Sequence, residues 1–347
     1  MTSHTEALSD IQLVGQRLMV GFEGKTVDPD LEALITRFCV GGIALFKRNI
    51  SGPEQSSTLW RQAQSLFKQN NKPLLLIQLH QEGRPETRQG TTFTFFTGNR
   101  AIGASESEAA AEEFAVTTAK ELQGVGINMN FAPVLDTVPF DDDTFVMTNR
   151  VFGDSPRLTA DLGTKVIEAM QSSGLAATGK HFPGIGRTTL DSHADLPFLE
   201  TKEETLRTSD LIPFRAAIEH GVAAIMLAHV IYTDIDPEWP ASLSGRLANN
   251  LLRHTMGFAG VTITDDLDMG AVSKHYGIRT IAERICDAQV DVALLCRSGP
   301  EVVKIAHEHL METVHGSDHA RAAHLNSVER ILALKDRYIA KVAFGSP

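Results

Sequence analysis

Cysteine is scarce in this 347-residue chain, and what there is does not pair: Cys39, Cys286 and Cys296 are odd in number and lack a Cys-x-x-Cys spacing. A disulfide framework is excluded, and a reducing compartment is the expectation. Positive charge is short as well, with 32 Lys and Arg against 43 Asp and Glu for a formal net charge of −11. That is the wrong sign for gripping nucleic-acid phosphates irrespective of sequence, so no nucleic-acid partner is expected. Long apolar runs are missing: the first 24 residues carry Glu6 and Asp10 and lack a basic start followed by an unbroken apolar stretch. Neither a signal peptide nor a membrane anchor is expected, and the expected location is cytoplasmic. Without an export signal, the sequon Asn49-Ile50-Ser51 is chance composition. No low-complexity segment, Ser/Gly linker, charge block or close repeat marks a boundary, so 1–347 is read as a single domain.

What is present is an ordinary globular composition, 42% hydrophobic and 22% charged, enough to bury most of the surface that the unfolded chain exposes. Short apolar runs at 41–46, 73–79, 128–132, 176–179, 223–228, 261–264 and 290–295 are each followed by a longer helical pattern. They read as buried parallel strands. The segment 156–172 is expected to be a helix, with Ser155 as its cap, Pro156 in its first turn and Gly174 as its stop. A second helix is expected over 108–123, ended by Gly124. Alternation of strand and helix along the whole length implies right-handed crossovers and a parallel sheet. With seven strands read, an α/β fold closed as a single, slightly irregular (β/α)8 TIM-type barrel is favoured. An open nucleotide-binding sheet would show Gly-x-Gly-x-x-Gly after its first strand, and neither Gly41-Gly42 nor Gly184-Ile185-Gly186 supplies it.

In a parallel barrel the reactive side chains sit at the carboxyl ends of the strands. After 176–179 comes a stretch from Lys180 to His193, rich in Gly, Pro and ionisable residues, which is the composition of a lid. Within it Asp191 can accept from one nitrogen of His193, fixing the tautomer and freeing the other nitrogen; the alternative is a bond that merely ties the loop. After 261–264 comes Asp265-Asp266-Leu267-Asp268-Met269, in which Asp266 or Asp268 is read as the N-cap of a following helix and Asp265 is left for the pocket. After 73–79 comes His80-Gln81-Glu82-Gly83-Arg84-Pro85-Glu86-Thr87-Arg88. Arg84 and Arg88 either grip hydroxyls or an anion, or are solvated surface charges. A carboxylate on one strand end, an imidazole on a loop and Arg or Lys nearby suit nucleophilic attack with a separate proton donor. His307, His309, His315, His319 and His324 form no His-Glu-x-x-His and are read as solvated helix residues. His229 is read as a hydrogen-bonded core histidine, the alternative being a place in the pocket wall.

Taken in chain order, Gly41-Gly42-Ile43-Ala44-Leu45-Phe46, Gln81-Glu82-Gly83, Asn128-Met129-Asn130-Phe131-Ala132-Pro133-Val134-Leu135-Asp136, Lys180-His181-Phe182-Pro183-Gly184, Asp191-Ser192-His193, Met226-Leu227-Ala228-His229 and Thr264-Asp265-Asp266-Leu267 resemble glycoside hydrolase family 3, specifically its short bacterial β-N-acetylglucosaminidases. The resemblance spans almost the whole chain. It implies a retaining mechanism: Asp265 attacks the anomeric carbon, His193 donates and then accepts the proton, Asp191 stabilises the charged imidazole, and water cleaves the glycosyl-enzyme. Imidazole replaces the second carboxyl group of the usual retaining pair, and an unperturbed pKa near about 6.5 leaves both its forms at neutral pH. By motif match Arg88, Arg150, Lys180 and His181 bind sugar hydroxyls, with His80 and Met269 also in the sugar site and Asp136 supporting the pocket floor. No metal or organic cofactor is implied. The implied substrate is an amino-sugar glycoside such as a cell-wall fragment, and the chain is expected to act as a monomer or homodimer.

Two departures stand out. His80 occupies the place of the family's usual Asp, and the lid reads Pro183-Gly184-Ile185-Gly186-Arg187 where Pro-Gly-His-Gly followed by Asp or Asn is common. Loss of a sugar-binding acid and gain of Arg187 point to a changed substrate, one carrying negative charge, or to lost activity. A neutral imidazole does not repel an anionic nucleophile, so phosphorolysis is the alternative to hydrolysis, and sugar binding without turnover is the third reading.

Overall fold

The computed structural model describes residues 8–69, 73–83, 93–140 and 144–339. Eight parallel strands close a barrel: β1 (Leu18–Val20), β2 (Gly42–Ala44), β3 (Leu76–Leu79), β4 (Met129–Asn130), β5 (Ala176–Phe182), β6 (Ala224–Leu227), β7 (Val261–Asp266) and β8 (Val292–Leu295). Each pairs with its successor in the chain, and β8 returns to β1. Seven are the runs read from the sequence. The eighth, β1, is an addition to the runs read: it follows two polar residues, Gln16 and Arg17, which are both buried. Gln16 donates to the Cys39 carbonyl, and Arg17 to the carbonyls of Val290 and Asp291.

The helix Pro156–Ser172 forms as read, with the Ser155 hydroxyl accepting from the Leu158 amide at 3.3 Å and Gly174 leaving the helix at φ 90°. The helix Glu108–Gly124 includes the glycine expected to end it, and the left-handed turn falls instead at Gly126, φ 88°.

Side chains on the inner face of the strands, among them Met19, Leu76, Met129, Ala176, Met226, Val261, Ile263 and Leu294, form one cluster. Ile331, Leu334 and Tyr338 of the last helix, Asp318–Tyr338, join it and cover the N-terminal mouth. A larger cluster fills the shell between strands and helices. Because strand side chains alternate, Val261 and Ile263 put Asp265 on the inner face of β7, and Ala176 does the same for Lys180 on β5. The chemistry is thereby concentrated at the C-terminal end of the barrel.

Two of the five C-terminal histidines correct the expectation. His307 and His324 are buried: His307 Nε2 bonds the Ile11 carbonyl, and His324 Nδ1 lies 2.7 Å from an Arg17 nitrogen. Burial and the Arg17 charge press the His324 pKa far down, so the ring is neutral. His315 and His319 are exposed, as read, and His309 is partly so. All three cysteines are free thiols. Asn49 is buried and donates to the carbonyls of Phe22 and Gly24. Among the described residues no helix is long and apolar enough to cross a membrane.

Candidate active site

A cavity of about 240 Å³ lies at the carboxyl ends of the strands. Its wall brings together His80, Arg150, His181, Asp191, His193, Asp265 and Met269 from the positions singled out in the sequence. Phe46, Val146, Ile185, Leu190, Val230 and Leu294 supply apolar surface between them. Arg88, with Arg84, lies outside the described residues. Lys180 is fully buried and reaches the site through Glu82.

Asp265 is the carboxylate on the inner face of β7. Its Oδ1 accepts from the Asp266 amide at 2.8 Å, and its Oδ2 lies 3.9 Å from His181 Nε2. Burial pushes its pKa up, but His181, His229, the Asp266 amide and Lys180 outweigh that and hold it below the ordinary carboxylate value. The group is therefore an anion although half-buried. His181 is itself oriented from behind: Asp136 Oδ2 sits 2.7 Å from Nδ1, and the same carboxylate accepts from the amides of His181 and Ile185. Asp136 thus supports the pocket floor, as its motif suggested.

Glu82 is a member of the site that the sequence reading used only as a landmark. It is buried, accepts two bonds from Arg150 at 2.7 and 3.0 Å, and lies 2.6 Å from Lys180 Nζ. Burial raises its pKa, yet Arg150 and Lys180 carry it well below the usual range. The carboxylate fixes both cations, and with them His80, whose Nδ1 is 3.4 Å from Lys180 Nζ and whose ring meets Phe131 edge-on. Its one visible signal was a carboxylate three residues beyond a barrel strand.

On the loop after β5, His193 Nδ1 lies 2.9 Å from Asp191 Oδ1, which also accepts the His193 amide at 2.8 Å. Both side chains are about half exposed, leaving Nε2 free to face the cavity. Burial raises the Asp191 pKa, but the bonds from His193 prevail and lower it, so the pair carries a carboxylate beside an imidazole.

Two expectations are corrected. Neither Asp266 nor Asp268 caps a helix: the short helix Gly270–Ser273 has Met269 at its N-cap and no side-chain cap. Asp266 instead accepts from the amides of Asp268 and Cys296, and Asp268 from Arg297, Ser298 and the Ser298 hydroxyl, which sew the loop after β7 to the loop after β8. Carboxylates with two lone pairs per oxygen serve irregular loops as readily as helix ends. Burial, reinforced by Asp268, pushes the Asp266 pKa up to about 6. Arg187 does not line the cavity; it pairs with the buried Asp210 at 3.0 Å and reaches the Ser209 hydroxyl. Its charge is spent on holding the loop, so it supplies no reason for an anionic substrate. Lys180 meets Glu82 and His80 at the side of the cavity. His229 is the hydrogen-bonded core residue it was read to be, bonded to the Ser242 hydroxyl and the Asp266 carbonyl, and burial lowers its pKa.

Among the described residues no group of three or more His, Cys, Asp or Glu side chains is arranged to hold a metal ion. A half-buried carboxylate, a tethered imidazole and fixed cations around one small cavity can perform nucleophilic displacement with proton transfer.

Residues 11–334 match the sequence model of the glycosyl hydrolase family 3 N-terminal domain. Among curated relatives, a β-hexosaminidase of Xylella fastidiosa is 33% identical over 335 residues, 95% of this chain and 96% of its own length. The β-hexosaminidase A of Pseudoalteromonas piscicida is 33% identical over 321 residues, and there the match spans only 54% of the relative. Among solved structures, a family 3 β-N-acetylglucosaminidase from Paenibacillus sp. superposes with a TM-score of 0.90 at 39% identity, covering 98% of this chain and 64% of that one. A β-N-acetylhexosaminidase from Beutenbergia cavernae superposes with a TM-score of 0.87 at 26% identity, over 95% and 99% of the two chains.

Proposed function

This chain belongs to glycosyl hydrolase family 3, and on that premise we propose that it is a retaining β-N-acetylhexosaminidase releasing terminal β-linked N-acetylglucosamine from amino-sugar glycosides, cell-wall fragments among them. The observation that carries the reading is Asp265, a half-buried carboxylate kept ionised by His181, His229 and Lys180, in the same cavity as the His193 imidazole. Asp265 attacks the anomeric carbon as the glycosidic C–O bond breaks, and His193 Nε2–H protonates the departing oxygen. Water then attacks the glycosyl-aspartate, gives its proton to His193 and frees Asp265. Asp191 holds the imidazole by Nδ1 and stabilises its charged form while the proton is on board.

Arg150, His181, His80 and Met269 form the sugar-facing wall, and Arg88 belongs to it by motif. The cavity's roughly 240 Å³ falls below the roughly 300–1,000 Å³ of drug-sized sites, room for one sugar ring rather than a run of them, which favours release of a terminal residue. The test is a fluorinated N-acetylglucosaminide that forms a slow glycosyl-enzyme: peptide mass mapping should place the label on Asp265, and a label on any other residue overturns the assignment. Product analysis with inorganic phosphate present should still give the free sugar, whereas a sugar 1-phosphate would replace hydrolysis by phosphorolysis.

A further inference from the structure

The loop that carries His193 is fastened to the segment that follows the strand carrying Asp265. The Gly270 amide donates to the His193 carbonyl at 3.2 Å and the Ala271 amide to the Ser192 carbonyl at 3.0 Å. One turn later Lys274 Nζ donates to the Ala194 carbonyl at 2.7 Å, and His275 Nε2 lies 2.5 Å from Asp195 Oδ1. Leu196 and Ala271 pack with Ile231 in a small apolar cluster separate from the two main ones. Gly270 is required for the approach: a Cβ there would lie 2.5 Å from the Ala194 carbonyl oxygen and 2.7 Å from that of His193. By contrast, the His193 and Asp191 side chains are about half exposed, and their mutual bond does not tie them to the barrel.

We propose that 270–275 is a positioning clasp for the acid/base, in which Gly270 and Lys274 hold the backbone of His193 against the nucleophile's own loop and so set the distance from imidazole to leaving-group oxygen. The inference rests on the roles given above to Asp265 and His193. Its logic is geometric: a proton donor must stay within hydrogen-bond reach of the atom it serves, and a small displacement removes most of its contribution. The backbone carbonyls of Ser192 and His193 are the only part of that loop held by the nucleophile's segment through main-chain amides among the described residues. Side-chain bonds from Lys274 and His275 add stiffness without entering the cavity wall.

A clasp acting through the proton donor makes a prediction that a merely structural role does not. In Lys274→Ala and Gly270→Ala, kcat/KM should fall about tenfold to a hundredfold on a disaccharide or a 4-methylumbelliferyl β-N-acetylglucosaminide. It should change less than about threefold on the 2,4-dinitrophenyl glycoside, whose leaving group departs with little protonation. Lys274→Arg, which restores a donor to the Ala194 carbonyl, should recover most of the loss. Lys274 is exposed, so its variant tests the proposal even where Gly270→Ala does not fold. Equal losses on all three substrates, or none, overturn the clasp. A wild type inactive on every aryl β-N-acetylhexosaminide would instead overturn the proposed function from which the clasp proceeds.

Discussion

Asp265 keeps its charge inside the barrel because imidazole, ammonium and backbone amide surround it, and that sets the acid limb of the reaction. With its pKa held below the ordinary carboxylate value, the nucleophile stays ionised as pH falls toward 4, so loss of activity on the acid side above that point reports another group. Asp265→Ala should lower kcat by three or more orders of magnitude, as removal of a covalent nucleophile does. His193→Ala should lower it by about 10²–10⁴ on substrates that need protonation. Steady-state assays on aryl N-acetylglucosaminides measure both, with circular dichroism showing the fold retained; unchanged rates in either variant dispose of its assignment. At this scale the sequence was informative where a residue sits at a strand end. Asp265, His193, Asp191 and His181 were legible because β7 and β5 announce themselves as apolar runs and the ionisable residues follow directly. Glu82 was not, because its importance comes from Arg150, 68 positions away, and Lys180, 98 away.

The barrel's N-terminal side has its own ionic joint, built where several elements meet. Asp291, just before β8, is buried and accepts from Arg253 on the helix Arg246–Thr255, from Arg330 at 2.7 Å on the last helix, and from the Thr262 amide on β7. Burial raises its pKa, but the two guanidinium groups win and lower it. A folded-state pKa below the unfolded one contributes stability that is present above about pH 4 and is lost as pH falls through the folded value. Asp291→Ala should therefore destabilise by about 3–5 kcal/mol at neutral pH, since it strands two cations. The deficit should shrink in urea melts run toward pH 3; a variant as stable as the wild type at pH 7 contradicts the joint. None of this could be read from the sequence, where Asp291 is a lone acid inside the apolar run 290–295. The same is true of β1, hidden behind Gln16 and Arg17, and of the acids after β7, which bind a neighbouring loop instead of a helix end.

Across the whole molecule, the last helix closes the barrel at a price seen in Lys335. That side chain is buried among apolar groups, donates to Gln16 Oε1 at 2.5 Å, and has its pKa pushed down to about 7 by burial. The unfolded chain holds its lysine proton up to about pH 10, so it binds more protons than the folded chain between about 7 and 10, and stability from this group rises with pH across that window. Lys335→Met should raise the melting midpoint by a few degrees at pH 7, and its advantage should narrow toward pH 10. Calorimetry at the two pH values decides; an advantage that is constant or absent removes the argument.

The sequence by itself determined the alternation of strand and helix, the closed parallel barrel it implies, and the end of that barrel where chemistry must lie, because these follow from local periodicity and chain direction. It also carried the family resemblance, in motifs each confined to a few consecutive residues. Only the tertiary structure decided which charges neutralise which: that Glu82 binds Arg150 and Lys180, that Arg187 is consumed by Asp210, that His324 is buried beside Arg17, and that Gly270 presses against the acid/base loop. Electrostatic partnership and close approach depend on distance in space, and residues far apart along a chain carry no local mark of it.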